Sequence, residues 1–113
     1  EDEFRLLEAQ MREQRPYLNP GLSLGELADL AKTPSHHLSK LINDQFGKNF
    51  FDYINSHRIK SFQERIEKGD HHERTILSLA LEAGFNSKTA FNRAFKKQTG
   101  LTPREYLRQH DNS

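Results

Sequence analysis

"GFNSKTAFNRAFKKQTG", residues 84–100, sorts its side chains into two kinds. Ala90, Phe91, Ala94 and Phe95 recur at helical spacing, and at about 100° per residue they gather on one side of a helix. Lys88, Thr89, Asn92, Arg93 and Lys96 fall about 180° away on the same wheel. The stretch therefore predicts a helix that docks by one face and presents a polar outer face. Its ends agree with that reading. Ser87 is of the type that caps a helix N-terminus, Gly84 allows the left-handed conformation that ends the preceding helix, and Gly100 supplies the stop.

The layout around this helix occurs twice in the chain. "LSLGELADLAKTPSHHLSKLINDQFGKNFFDY" and "TILSLALEAGFNSKTAFNRAFKKQTGLTPREY" share a short helix, a tight turn, a longer helix, a glycine, a capping residue and a tyrosine. Leu38 corresponds to Phe91, Gly47 to Gly100, Asn49 to Thr102 and Tyr53 to Tyr106, all at a separation of 53. Leu24, Leu27, Ala28 and Ala31 correspond to Ile76, Leu79, Ala80 and Ala83 at 52, so the second turn is one residue longer. In the first unit Ser23 and Glu26 form a capping box, Thr33 is expected to cap the next helix with Pro34 at its first position, and Leu38, Leu41, Ile42 and Phe46 face the core. In the second, Thr75 caps a helix through roughly Glu82.

Three further elements surround the repeat. An amphipathic helix over residues 3 to about 14 turns Phe4, Leu7 and Met11 inward and is closed off by Pro16 and Pro20. Asn49 and Asp52 start a long helix through Phe50, Tyr53, Ile54, Ile59, Phe62 and Ile66, ending near Gly69 and stiff enough to hold the two units a fixed distance apart. Thr102 and Pro103 begin a last helix containing Tyr106 and Leu107. No useful length alternates with period two. The expected fold is all-α, with seven helices in two helix-turn-helix subdomains, residues 1–48 and 70–113, joined by a connector helix at 49–69.

Composition bounds the function. A chain of 113 residues with 34% hydrophobic residues builds one domain or two very small ones. The formal net charge is +1, but its distribution is uneven: residues 1–34 hold seven acids against four bases, while residues 86–108 hold six bases against Glu105 alone. The absence of cysteine rules out disulfides, a Cys-ligated metal and a thiol nucleophile, and suits a reducing compartment. No apolar run approaches a membrane span and no signal-peptide pattern opens the chain, so no membrane contact by this segment is expected. The chain starts without a methionine, as expected of a fragment of a longer protein or of a processed one.

Beyond the core positions, the two longer helices leave Ser39 and Lys40 on the first and Asn92 and Arg93 on the second at equivalent places. These are side chains of moderate reach that suit the edges of bases: Arg or Lys for guanine, Asn for adenine. A major groove about 12 Å wide admits one such helix, and two on one rigid chain about 34 Å apart would enter successive grooves. A single polar face is ordinarily just solvated; its repetition on a duplicated tight-turn motif favours double-stranded DNA. Lys96, Lys97 and Arg104, near helix ends, suit phosphates. Neither His36–His37 nor His71–His72 has the spacing of a zinc helix, so no metal is expected, and no catalytic group or cofactor-binding loop is found. Phe50 and Phe51 suggest a stacking platform for single strands, although at least one is better explained as core. A protein-interaction module is the rival reading.

"LSLGELADLAKTPSHHLSKLINDQFGKNFFDYINSHRI", followed by "ILSLALEAGFNSKTAFNRAFKKQTGLTPREYL", resembles the DNA-binding domain of AraC/XylS-type bacterial transcription regulators. The similarity runs from residue 22 to 108, and the set Ala80, Gly84-Phe85, Ser87, Phe91, Phe95-Lys96-Lys97, Gly100, Pro103 and Tyr106 is its most specific part. The resemblance implies base contacts from Ser35, His36, Ser39 and Lys40 on the first recognition helix and from Lys88, Thr89, Asn92 and Arg93 on the second. Phosphate contacts are expected from Asn86, Lys96, Lys97, Thr102, Arg104 and helix N-termini. It further implies an activator that touches RNA polymerase, a sensor region outside this chain, and a cytoplasmic location, or the cytoplasmic face of a membrane-anchored parent. Pro34, Phe62 and Arg65 depart from the usual serine, alanine and leucine.

Overall fold

The computed structural model describes residues 2–111. Among these the chain forms seven α-helices and no strand: α1 (Asp2–Glu13), α2 (Leu24–Leu30), α3 (Ser35–Phe46), α4 (Phe50–Glu67), α5 (Ile76–Glu82), α6 (Lys88–Thr99) and α7 (Pro103–Asp111). Short 3-10 turns occupy Pro16–Leu18 and Asp70–His72. No helix among the described residues is long and apolar enough to cross a membrane.

Local chemistry sets most of the helix ends. Ser23 Oγ accepts from the Glu26 amide at 3.1 Å while the Glu26 carboxylate accepts from the Ser23 amide at 2.9 Å. Thr102 and Glu105 repeat this reciprocal pair at 3.1 and 2.8 Å. Asn49, Thr75 and Ser87 each accept from the amide three residues on, at 2.8, 3.0 and 3.0 Å. Each bond satisfies a donor that the first turn of a helix leaves unpaired, and deleting the Ser87 hydroxyl would cost α6 about 1 kcal/mol.

The start of α3 differs from the sequence expectation. Pro34 is itself the capping residue, with extended backbone and no side-chain cap bond, and the helix begins at Ser35. Thr33 does not cap; its hydroxyl donates instead to Glu3 Oε2 at 3.1 Å and ties the turn to α1. A carboxylate 30 positions away won the hydroxyl that local rules assigned to the helix.

The duplication extends to the backbone hydrogen bonds. In each helix-turn-helix the chain leaves the first helix through a bond reaching back five residues, Thr33 N to Ala28 O at 3.0 Å and Phe85 N to Ala80 O at 3.2 Å. The residue before each donor is left-handed, Lys32 at φ 56° and Gly84 at φ 109°. Such helix ends favour glycine because a Cβ crowds the backbone at positive φ. The first unit places a lysine there, a strain that spacing did not announce. Between α2 and α3 lie residues 31–34, and between α5 and α6 residues 83–87, which is the extra residue behind the change from 52 to 53 in the repeat.

Packing divides the chain into two compact units within α4, one up to Asn55 and the other from Ser56. The first core gathers Leu7 and Met11 of α1, Tyr17, Leu27 and Ala28 of α2, Leu38 and Ile42 of α3, and Phe50, Tyr53 and Ile54 of α4. The second gathers Ile59, Phe62 and Ile66 of α4 with Leu79, Ala80, Ala83, Phe85, Phe91, Ala94 and Phe95. Thus α4 carries two apolar stripes rather than one. Phe46, expected in the first core, lies at its rim, 36% exposed and stacked on Phe4 and Tyr53 with centroids 5.8 and 4.8 Å away. Phe50 is buried and Phe51 is 71% exposed.

The second core is largely aromatic. Phe62 is fully buried, with its ring centroid 4.9 Å from Phe91 and 5.7 Å from Phe95. Phe85 meets Phe91 at 5.2 Å, and Phe95 meets Tyr106 of α7 at 5.3 Å. These tilted and edge-on pairs clamp α6 from α4, the turn and α7 at once. Arg65 leaves the core to bind Asp70, and it reaches Glu82 of α5 at 3.0 Å. The Arg65 guanidinium beside it holds the Asp70 carboxyl below its ordinary range.

Candidate nucleic-acid interface

Phe91, Ala94 and Phe95 are buried and Ala90 is half-buried, so α6 docks by the expected face. Lys88, Thr89, Asn92, Arg93, Lys96 and Lys97 are all exposed. On α3, Leu38 and Ile42 are buried, whereas Ser35, His36, Ser39, Lys40 and Asn43 are exposed. In each unit the second helix of the helix-turn-helix therefore presents a row of donors on a rigidly packed base. Hydroxyl, amide and cationic side chains gathered on one exposed helix face are donors of the kind that can reach base edges.

The two rows are not electrically alike. Lys40 Nζ lies 2.8 Å from Asp44 Oδ2, one helical turn away, and that hydrogen bond with its charge pushes the lysine pKa up. Arg93, the counterpart of Lys40 in the second unit, is followed at the same spacing by Lys97. The first face carries a compensated charge and the second carries two like charges. The signal for the ion pair, a lysine and an aspartate at i, i+4, is in the sequence, and it compensates the Lys40 charge that the sequence reading left free.

Several expected residues converge in the second unit. A groove of about 630 Å³ is lined by Lys88 and Asn92 of α6, Thr102, Arg104 of α7 and the apolar Leu77 and Leu107. It brings together two residues assigned to bases and two assigned to phosphates, while Asn86 lies exposed in the turn before α6. Leu77, 41% exposed, belongs to this rim and was not singled out from the sequence.

Two phosphate candidates already have local duties. Lys96 Nζ donates to the Gly100 carbonyl at 3.1 Å, closing the C-terminal turn of α6. The Thr102 hydroxyl accepts from Glu105, and its amide, which a helix N-terminus would offer to an anion, donates to the Glu105 carboxylate. Those bonds from Thr102 hold the Glu105 carboxyl below its ordinary range. The Thr102 hydroxyl proton and the Arg104 guanidinium remain the groups that can donate outward from this end of α7.

Two helix-turn-helix units, each presenting a polar second helix over an apolar base, are the architecture of DNA-binding regulators. A family model described as "Helix-turn-helix domain" matches residues 27–109. An uncharacterised HTH-type transcriptional regulator of Staphylococcus aureus (strain COL) is 33% identical over 90 residues, which are 80% of this chain and 12% of that protein. The "Probable transcription factor PqrA" of Proteus vulgaris is 27% identical over 105 residues, 93% of this chain and 80% of that one. In fold, the C-terminal domain of AraT, a response regulator from Geobacillus stearothermophilus, is similar with a TM-score of 0.75 at 22% identity, over 96% of this chain and 84% of that domain. The chain belongs to the helix-turn-helix family of AraC/XylS type, whose members are DNA-binding transcription regulators and not enzymes. It spans about 12% of the length of the staphylococcal relatives.

Proposed function

We propose that α3 and α6 are recognition helices that enter successive major-groove segments of a promoter duplex. Ser35, His36, Ser39 and Lys40 then face base edges in one segment, and Lys88, Thr89, Asn92 and Arg93 in the next. Asn86, Lys96, Lys97, Thr102 and Arg104 bind phosphates, with Lys96 exchanging the Gly100 carbonyl for a phosphate oxygen. The observation that carries this reading is the repeated polar face on two helices that each end at a left-handed glycine and are each seated on their own buried core. The family resemblance extends it to the parent protein: a cytoplasmic activator that contacts RNA polymerase under control of a sensor region outside this chain.

Binding-site selection from a random duplex pool tests this directly. Selected sites should contain two half-sites centred about 10–10.5 base pairs apart. Arg93→Ala should lose about 1–3 kcal/mol at one base pair and relax the preference there, as expected for a bidentate contact to guanine. An unchanged preference would remove Arg93 from the base-reading set. If no duplex is retarded in a sequence-dependent, salt-sensitive way, the polar faces serve a protein partner instead.

A further inference from the structure

Away from the groove, the second unit gathers imidazoles and carboxylates that the DNA-binding face does not use. His71 and His72 sit on the 3-10 turn after α4, and Asp111 closes α7. The ring centroids of His71 and His72 lie 4.1 Å from each other. One nitrogen or oxygen atom from each of His71, His72 and Asp111 lies within 4.8 Å of the others. His71 Nε2 stands 3.4 Å from Asp111 Oδ1. The His71 side chain is only 7% exposed, and its Nδ1 is buried with no hydrogen-bond partner.

We propose that His71, His72 and Asp111 form a binding site for a divalent transition-metal ion of the zinc type. Two imidazoles and one carboxylate are a donor set suited to Zn²⁺, and bond lengths of about 2.0–2.1 Å in a tetrahedron place two ligand atoms about 3.3 Å apart. The His71–Asp111 separation already matches that edge; His72, on the exposed side, closes the remaining gap by rotating its ring. The His71 side chain, 7% exposed, is held in place by its burial, so the Nε2 that faces Asp111 is a donor already oriented for the ion. His110 stands in the surrounding shell, its Nε2 3.0 Å from Glu67 Oε2 and its Nδ1 3.5 Å from Asp111 Oδ1. In that place the Glu67–His110 pair orients the Asp111 carboxylate, the usual task of groups around a metal ligand. A fourth position is open to water. Because Asp111 ends the helix that begins beside Arg104, the ion would pin α7 to the turn after α4 and steady one wall of the groove.

Calorimetric titration of the 113-residue chain with ZnCl₂ near neutral pH, without DNA, tests the site independently of the DNA-binding reading. One Zn²⁺ per chain should bind and raise the melting temperature, and MgCl₂ at equal concentration should do neither. His72→Ala and Asp111→Asn alter exposed side chains and should keep the fold; each should weaken Zn²⁺ binding at least tenfold. The double variant His36→Ala/His37→Ala, which removes the other adjacent pair, should leave binding unchanged. No one-to-one binding in the wild-type chain would overturn the proposal, as would affinity in His72→Ala and Asp111→Asn equal to wild type.

Discussion

Asp44→Asn should strengthen the salt dependence of DNA binding without adding a cation. In the folded chain Lys40 Nζ lies 2.8 Å from Asp44 Oδ2, and both side chains are exposed. DNA that approaches Lys40 must compete with a carboxylate already in place, whose charge also repels the nearby phosphates, so this helix releases few counterions. Asparagine keeps the shape and removes the charge. If one further phosphate becomes neutralised, the slope of log K against log salt should steepen by about 0.9, which over a rise from about 50 to 200 mM is roughly a 3.5-fold change in relative affinity. The reciprocal change, Lys97→Asp, places a carboxylate at the equivalent position of α6, removing one cation and masking Arg93; the slope should flatten by up to about twice that amount. Fluorescence anisotropy with a labelled duplex carrying the selected site, at several salt concentrations, measures both. Equal slopes for wild type and Asp44→Asn, with helix content unchanged by circular dichroism, would refute the view that Asp44 masks the first recognition face.

Opposite signs are expected at the two equivalent left-handed positions. Lys32→Gly should stabilise the chain by about 0.5–1 kcal/mol, because relief of the backbone strain exceeds glycine's added freedom when unfolded. Gly84→Ala should destabilise it by about 1–3 kcal/mol, since alanine rarely adopts φ 109°; urea unfolding of both variants reads the difference. Phe62→Ala should cost about 3–5 kcal/mol by emptying the centre of the aromatic cluster against Phe91 and Phe95, measured the same way. Burial, aided by the charge of Lys60, pushes the His57 pKa below its ordinary 6.5. The folded chain thus favours the neutral ring, so stability is full above that ordinary value and falls as pH drops through the lower folded one. His57→Gln should flatten the decline in melting temperature between about pH 7 and 5, and an identical decline would assign it to other groups.

Much of the architecture was legible because its causes are local. Ser23 with Glu26, Asn49 with Asp52, Thr75, Ser87 and Thr102 with Glu105 cap helices through bonds that reach only three residues, so spacing alone reveals them. Gly47 and Gly100 end helices in the left-handed conformation that glycine enters freely. The polar row on α6 was legible for a related reason: a helix that buries Phe91 and Phe95 must turn Asn92 and Arg93 outward. The duplicated plan, the seven helices and the two exposed polar faces followed from such short-range rules.

Interactions that close over long stretches of chain were decided elsewhere. Thr33 was expected to cap α3 and instead binds Glu3; Phe46 shares the apolar spacing of α3 but ends at a rim; Phe50 and Phe51 are chemically identical neighbours, and only packing buries one of them. The groove that joins Lys88 and Asn92 to Thr102 and Arg104, and the meeting of His71 with Asp111 across 40 positions, depend on where the return of α7 places its two ends. The sequence by itself determined the periodicity, the caps and the repeat, because backbone hydrogen bonding and side-chain direction are set within a turn or two. Only the tertiary structure decided which polar groups share a surface, because that choice is made by the burial of apolar side chains distant in sequence, with the polar groups carried along by the helices they sit on.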